Sequence, residues 1–351
     1  MEENNTVPVS AGTGQAGGCI NCGHPVVEQG YPNPLCADCR QRFIRFPIPN
    51  WIKFFGAGIG LIFLFSLYKI PKNISLGLHL EKGKTAVAEK KYITAQQELE
   101  KFLKGLPQHV EARCYLIIAS FYNQDYVTMS RVFNEVKGEN IDDKELFAAV
   151  QQILDESPDY FPDDKLLETL HQHGDDINKL SLADLKQYLD SNKENNYAAT
   201  VYAALLIENK DTARADSLID KVLQRKPDLS TALLLAAGQN RVERKFDASL
   251  AACDRMLLNN KEDILAFASK ARTLLWMKND KEALKAVQTA AALAPDNVYV
   301  KATLLLAYHF TNQVEKKNAL LKEYSNMKDT AARSSLQYAV DVINGKEPFR
   351  N

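Results

Sequence analysis

Apolar positions along the chain fall into two regimes. Over residues 54–68 they form a nearly unbroken run, F-F-G-A-G-I-G-L-I-F-L-F-S-L-Y, and beyond residue 76 they recur at helical spacing. The stretch Trp51 to Ile70 is charged only at Lys53 and Lys69, whose long stems reach toward headgroups. Twenty helical residues span about 30 Å, the thickness of a bilayer core. Trp51 and Tyr68 stand where interfacial aromatics belong, and Pro47 and Pro49 block backward extension. The pattern predicts one transmembrane helix over 51–70. A cleaved signal peptide does not fit, since about fifty residues precede the run and no small-residue cleavage site follows it.

Past the span, small residues pair twelve positions apart at Gly83 and Ala95, Ala203 and Ala215, Ala236 and Ala248, and Ala271 and Ala283. Twelve further on come Pro107, Pro227 and Pro295, with Asn260 in the remaining case. Small residues let the two helices of a hairpin approach, and proline ends the second because it cannot donate into the ladder. Leu99, Ile219, Ala252 and Val287, four beyond each second alanine, continue a buried stripe. Pro227 to Pro295 spans 68 residues, two periods of 34, and the pattern resembles the tetratricopeptide repeat (TPR) family.

That resemblance implies an all-α fold, a TPR-like helical-hairpin solenoid over 76–345. It is regular at 76–107 and 196–297 and degenerate between, where Pro107 to Pro227 covers 120 residues, not a multiple of 34. Val298 to Asn326 matches more weakly, and Asp329 to Asn344 predicts a capping helix. The acidic stretch Asp155 to Asp164 predicts a solvated loop or, alternatively, a docking spot presenting Tyr160 and Phe161.

Four cysteines precede the span as two CxxC knuckles, Cys19 with Cys22 and Cys36 with Cys39, separated by 13 residues. Each pair can bite one metal from a tight turn, and Gly30, Pro32, Asn33 and Pro34 suit a return beside the short extended candidate Pro25 to Glu28. The segment resembles the short zinc-ribbon family over 17–42, which implies one structural zinc ion on Cys19, Cys22, Cys36 and Cys39, with His24 a lesser candidate. Redox iron or two disulfides would use the same cysteines. Four thiolates without another cofactor motif favour zinc in a reducing compartment. Residues 1–16 read as a disordered tail.

With 44 acidic against 43 basic residues, the chain generates no long-range field to attract nucleic acid. Enzyme signatures are absent. Gly77 to Thr85 imitates a phosphate loop but has five residues between its glycines where four are needed, and the histidines at 24, 79, 109, 171, 173 and 309 are scattered. Neither Cys114 nor Cys253 is paired with a base.

The TPR resemblance implies partner binding in a groove lined by the first helix of each hairpin, with Arg272, Trp276, His309 and Phe310 on the inner surface. The family's carboxylate clamp is not present, since Thr200, Ala204, Leu233, Ala237, Ala268 and Arg272 stand at its positions. Gly56 and Gly60 give a GxxxG spacing compatible with a homodimer. Lysine and arginine counts flanking the span are equal, so orientation rests on the thiolates, which persist in a reducing cytosol. The reading is a non-catalytic scaffold or adaptor in the cell's inner (plasma) membrane. It passes the membrane once, with a cytoplasmic N-terminus and an extracytoplasmic solenoid, and assists envelope protein assembly or translocation. The alternative is a zinc- or redox-responsive transmembrane regulator signalling through the ribbon.

Overall fold

The computed structural model describes residues 17–44, 48–172, 174, 177–327 and 330–350. The tail 1–16 lies outside them. The chain divides into two compact units, Met1–Asn73 and Ile74–Asn351. Regular structure among the described residues is entirely helical.

The first unit holds α1 (Ala37–Ile44) and the beginning of α2 (Asn50–Ala88). α2 runs for 39 residues and includes Pro71. Phe54, Phe55 and each residue of Leu61–Phe65 are more than 60 % exposed, so apolar surface surrounds this stretch. Among the described residues no helix is long and apolar enough to cross a membrane. The described side chains of the predicted span stop at Ser66, and those of 67–70 lie outside them.

The second unit is a stack of antiparallel helical hairpins. The end of α2 packs on α3 (Tyr92–Gly105), with His79 bonded to Glu98 and Gly83 against Leu99, and α4 (Val110–Tyr122) pairs with α5 (Tyr126–Val136). After an interruption come α9 (Asn196–Glu208) with α10 (Thr212–Arg225), α11 (Ser230–Val242) with α12 (Phe246–Asn259), α13 (Ile264–Trp276) with α14 (Asp280–Leu293), and α15 (Val298–Phe310) with α16 (Val314–Ser325). α17 (Thr330–Ile343) closes the stack against α15, burying Leu336 and Ala339.

Every hairpin tip carries one left-handed residue: Lys90, Gln124, Lys210, Arg244, Lys278 and Asn312, with φ between 55 and 63°. They are 34 apart except between Gln124 and Lys210. The following residue donates its N–H back across the helix end, as in Lys91 to Ala86 (2.8 Å), Lys245 to Asn240 (2.8 Å) and Gln313 to Tyr308 (2.9 Å). These bonds satisfy carbonyls that a helix C-terminus leaves unpaired. They sustain a conformation that a side chain disfavours.

This backbone period revises the sequence reading at three places. Ala203 plus 34 is Ala237, not Ala236: Ala237 and Ser249 are fully buried, whereas Ala236 is half-buried and Ala248 exposed. Ser249 serves in place of an alanine because its hydroxyl donates to the Ala237 carbonyl (2.7 Å) and bonds Thr273 Oγ1 (2.8 Å). The hairpin α4–α5 is regular, with bulky Ile117 and Met129 buried at the small-residue positions. α6 (Lys144–Glu156) begins and ends 34 residues after α4. The next left-handed residue would be Pro158, whose ring fixes φ near −65°. The repeat breaks there into a 3-10 turn, Ser157–Asp159, followed by α7 (Asp164–Gln172) and α8 (Leu182–Ser191).

The stretch 155–164 is neither a solvated loop nor an exposed docking spot. Tyr160 meets Phe121 edge-on at 4.9 Å and Phe161 meets Tyr126 at 4.8 Å, inside the core of the first hairpins.

The interruption also lets the first hairpins touch the middle of the stack. The Lys261 N–H donates to the Lys90 carbonyl (2.9 Å), Lys90 Nζ to the Leu258 carbonyl (3.0 Å), and Asn260 Nδ2 to the Tyr122 carbonyl (3.0 Å). Thr94 gives both its N–H (2.8 Å) and its hydroxyl (2.6 Å) to the Glu262 carboxylate. Lys261 occupies the repeat position that holds proline at 107, 227 and 295, and proline has no N–H to give. Lys261→Pro is therefore expected to cost about 1–2 kcal/mol by orphaning the Lys90 carbonyl, although it restores the repeat's own residue. A urea midpoint equal to or above that of the unsubstituted chain would refute the closure.

Candidate metal centre and solenoid surface

The four N-terminal cysteines converge. All four Sγ atoms lie within 4.8 Å of one another, and Cys22 Sγ is 3.6 Å from Cys36 Sγ. A tetrahedral zinc with bonds of about 2.3 Å needs sulfurs roughly 3.8 Å apart, so the donor set and its spacing fit that ion.

Local backbone geometry builds the site. Cys19 donates its N–H to the His24 carbonyl and Gly23 donates to the Cys19 carbonyl, both at 2.8 Å, closing the first knuckle. Gly23 sits at φ +75°, and a Cβ on Gly18 would stand 2.6 Å from the His24 oxygen. The second knuckle opens α1, where the Arg40 N–H reaches the Cys36 carbonyl (2.9 Å). The two halves are joined by Ile20 N–H to the Pro34 carbonyl (3.0 Å) and Glu28 N–H to the Leu35 carbonyl (2.9 Å). No strand forms among the described residues, so the expected hairpin is reduced to these bonds.

Arg40 braces the return. It pairs with Glu28 (2.7 Å), donates to the Asn33 carbonyl (3.0 Å) and covers the Tyr31 ring at 3.7 Å. His24 is turned to its own chain, accepting the Val26 N–H on Nδ1 (3.2 Å), and does not join the sulfur cluster.

Without a cation the thiols differ. Burial works against the Cys19 thiolate, but N–H groups of Cys36, Asn21 and Cys22 outweigh it and bring the thiol to about 6. Cys22 gains from the His24 N–H, yet sharing hydrogen bonds with the three other sulfurs pushes it to about 12. Cys22 is exposed, while Cys19, Cys36 and Cys39 are buried. Cys114 and Cys253 are fully buried in the solenoid, and burial raises Cys114 to about 11.

The four expected groove residues divide. Arg272 lies on α13, stacked over the Tyr299 ring at 3.9 Å, with Nε donating to Thr303 Oγ1 (2.9 Å). Trp276 and Phe310 are 34 apart, each two residues before a left-handed tip. They are brought together by Phe349, whose ring centroid is 5.9 Å from Trp276 and 5.4 Å from Phe310. His309 touches Phe310 edge-on at 4.9 Å, and burial followed by Lys317 and Arg350 lowers its pKa. Arg350 covers Phe310 at 3.9 Å, pairs with Asp280 and donates to the Leu275 carbonyl (2.9 Å). Nothing in the residue spacing announced that the chain's own segment 349–350 covers this edge. Gly56 and Gly60 share α2 with open space where a Cβ would stand.

No family model and no curated protein matches the chain. Among solved structures it is similar to a tetratricopeptide repeat protein from Parabacteroides merdae, 13 % identical over 76 % of this chain and 99 % of that one, with a TM-score of 0.40. It is also similar to yeast Tom70, 14 % identical over 77 % of this chain and 64 % of that one (TM-score 0.37). A third is the MamA D159K mutant, 14 % identical over 48 % of this chain and 91 % of that one (TM-score 0.33). The 34-residue backbone period described above supports the TPR-like reading without help from these likenesses.

Proposed function

We propose that the protein is a non-catalytic, membrane-anchored adaptor whose TPR-like solenoid holds a partner protein or peptide, with one structural zinc ion folding the cysteine module. The observation that carries this reading is the run of four hairpins in 34-residue register, with tips at Lys210, Arg244, Lys278 and Asn312, whose first helices α9, α11, α13 and α15 contact one another in turn. Among the described residues, the sole cluster of metal-binding side chains is the cysteine quartet. The apolar girdle at 54–65, extended by the sequence to residue 70, serves as a single membrane span that Gly56 and Gly60 allow to pair. The N-terminus is cytoplasmic and the solenoid extracytoplasmic, in the inner (plasma) membrane, where it assists envelope assembly or translocation.

A photoreactive phenylalanine in place of Tyr338, 43 % exposed on α17, tests partner holding; the control is Val127, 82 % exposed on the second helix α5. Crosslinks confined to position 338 are expected, and equal yields at both positions would refute the groove. Topology is read from Ser75→Cys and Ser325→Cys with a membrane-impermeant maleimide on intact cells. Both positions are exposed, the fully buried Cys114 and Cys253 are protected, and the four module cysteines are replaced by serine so that each variant carries one reactive thiol. Labelling only after lysis would reverse the orientation.

A second reading, a zinc- or redox-responsive regulator, is favoured by the exposure of Cys22, the ligand an oxidant reaches first. It requires zinc release under mild oxidant, whereas a purely structural ion stays bound.

A further inference from the structure

Residues 346–350, after α17, meet the hairpins through two side chains, as a docked peptide does. They belong to no helix, and Gly345 at φ +71° turns the chain into them. Their backbone bonds α17 itself: the Lys346 and Glu347 N–H groups donate to the Asp341 carbonyl (2.8 and 3.3 Å), and the Pro348 carbonyl accepts the Tyr338 hydroxyl (3.4 Å). The next two residues reach across. Phe349, 8 % exposed, lies against Trp276 at the end of α13 and stacks on Phe310 at the end of α15. Arg350 covers the Phe310 ring, donates from Nη1 to the Leu275 carbonyl and forks onto the Asp280 carboxylate, with Nη2 3.0 Å from Oδ2.

The receiving slot is particular to this pair of hairpins. Position 242, one repeat before Trp276, holds an exposed valine, and the positions equivalent to Asp280 hold Thr212, Phe246 and Val314. Closing a hairpin therefore does not require a carboxylate at that place. Among the described residues the cation paired with Asp280 is Arg350, which comes from outside the hairpins. Aromatic rings and arginine carry most of the energy at peptide interfaces, and a guanidinium gains here from both a ring face and a carboxylate. A tether of a few residues supplies its ligand at an effective concentration of about millimolar, so two side chains suffice to occupy the slot and still leave it reversibly.

We propose that Trp276, Phe310 and Asp280 form a docking slot for a partner segment in which an aromatic residue precedes an arginine, and that Phe349 and Arg350 occupy it in the partner's absence. This rests on the partner-holding reading and supplies the partner's chemistry. The chain's own segment is the template: an incoming segment must offer the same ring and the same fork, and it binds more weakly by the fraction of chains whose slot stands open.

The test uses the full chain in detergent with Trp51→Phe, which leaves Trp276 as the one indole. Phe349→Ala with Arg350→Ala is expected to shift Trp276 emission to the red. The peptide Lys-Glu-Pro-Phe-Arg, capped at both ends, is expected to reverse the shift saturably, and the chain with its own Phe349 and Arg350 to need at least about tenfold more peptide. Asp280→Asn, or a peptide with Gln for Arg or Ala for Phe, is expected to remove the response. If melting shows that the double variant does not fold, Arg350→Gln, which keeps the ring, takes its place. No saturable response up to millimolar peptide, or equal response to the Gln and Ala peptides, overturns the slot and leaves partner holding intact. Equal affinity with and without Phe349 and Arg350 overturns their role as occupants. A dimer of the unsubstituted chain that the double variant converts to monomer gives the slot to a second copy and overturns the partner assignment. Partner holding is judged separately, by crosslinking at position 338 against 127.

Discussion

Cys36→Ser is expected to abolish uptake of one zinc per chain and to unfold residues 17–44. The module's interior consists of the cysteines themselves, Leu35 and a partly buried Val27. Ordering each backbone residue costs about 1–2 kcal/mol, and two aliphatic side chains cannot offset that over this length. A structural zinc ion contributes about 10–16 kcal/mol in isolated zinc modules. Its loss therefore decides whether the segment folds. Cobalt substitution gives the readout, since a tetrahedral four-thiolate site has a characteristic visible spectrum that the variant should lack. Cys253→Ser is the control: that thiol is sealed in the solenoid and should leave the metal content at one. Uptake must also release protons, because thiols bind metal as thiolates, so apparent affinity rises with pH. The solenoid is a separate compact unit and its own melting should be unchanged. One zinc per chain retained by Cys36→Ser would remove the site.

Phe121→Ala should destabilise the solenoid by about 3–5 kcal/mol, the usual cost of deleting a buried aromatic ring. Phe121 is 2 % exposed at the end of α4 and meets Tyr122, Tyr126 and Tyr160 with centroids at 5.3, 6.4 and 4.9 Å. It fastens the stretch where Pro158 breaks the repeat onto the regular hairpins. Phe147→Ala, at a position 53 % exposed on α6, should change stability by no more than about 0.5 kcal/mol in urea unfolding. Equal effects at the two sites would contradict the packing. The same cluster sets an alkaline limit. Burial raises the phenols of Tyr92, Tyr122, Tyr126 and Tyr160 above their ordinary value. Their unfolded pKa is about 10, so the stability they confer is complete below that pH and is lost as pH rises toward the folded values. Tyrosinate absorbance from the cluster should then appear together with unfolding.

Much of the solenoid was legible because packing repeats. Ala203, Ala215, Ala271 and Ala283 sit where two helix backbones approach, and all four are fully buried. The hairpin at 110–136 escaped because Ile117 and Met129 fill the same positions with bulk. Counting small residues could not find it, and counting left-handed tips does. Those tips were themselves hidden, since they are lysine, glutamine, arginine and asparagine rather than glycine. Ser249 misled the register by one residue because a hydroxyl becomes acceptable in a core only when a particular carbonyl and a particular threonine are there to bond it. The cysteine quartet was readable from spacing alone, since its geometry is set by two tight turns and by the metal chemistry of thiolates.

By itself the sequence determined what short-range physics controls: helical periodicity, the 34-residue spacing, the two knuckles and the apolar girdle before the solenoid. Tertiary structure decided what depends on residues distant in the chain. Thr94 meets Glu262 across 168 residues, and Phe349 covers Trp276 and Phe310. Such contacts leave no local pattern, because their energy comes from surfaces that exist only once the hairpins have stacked.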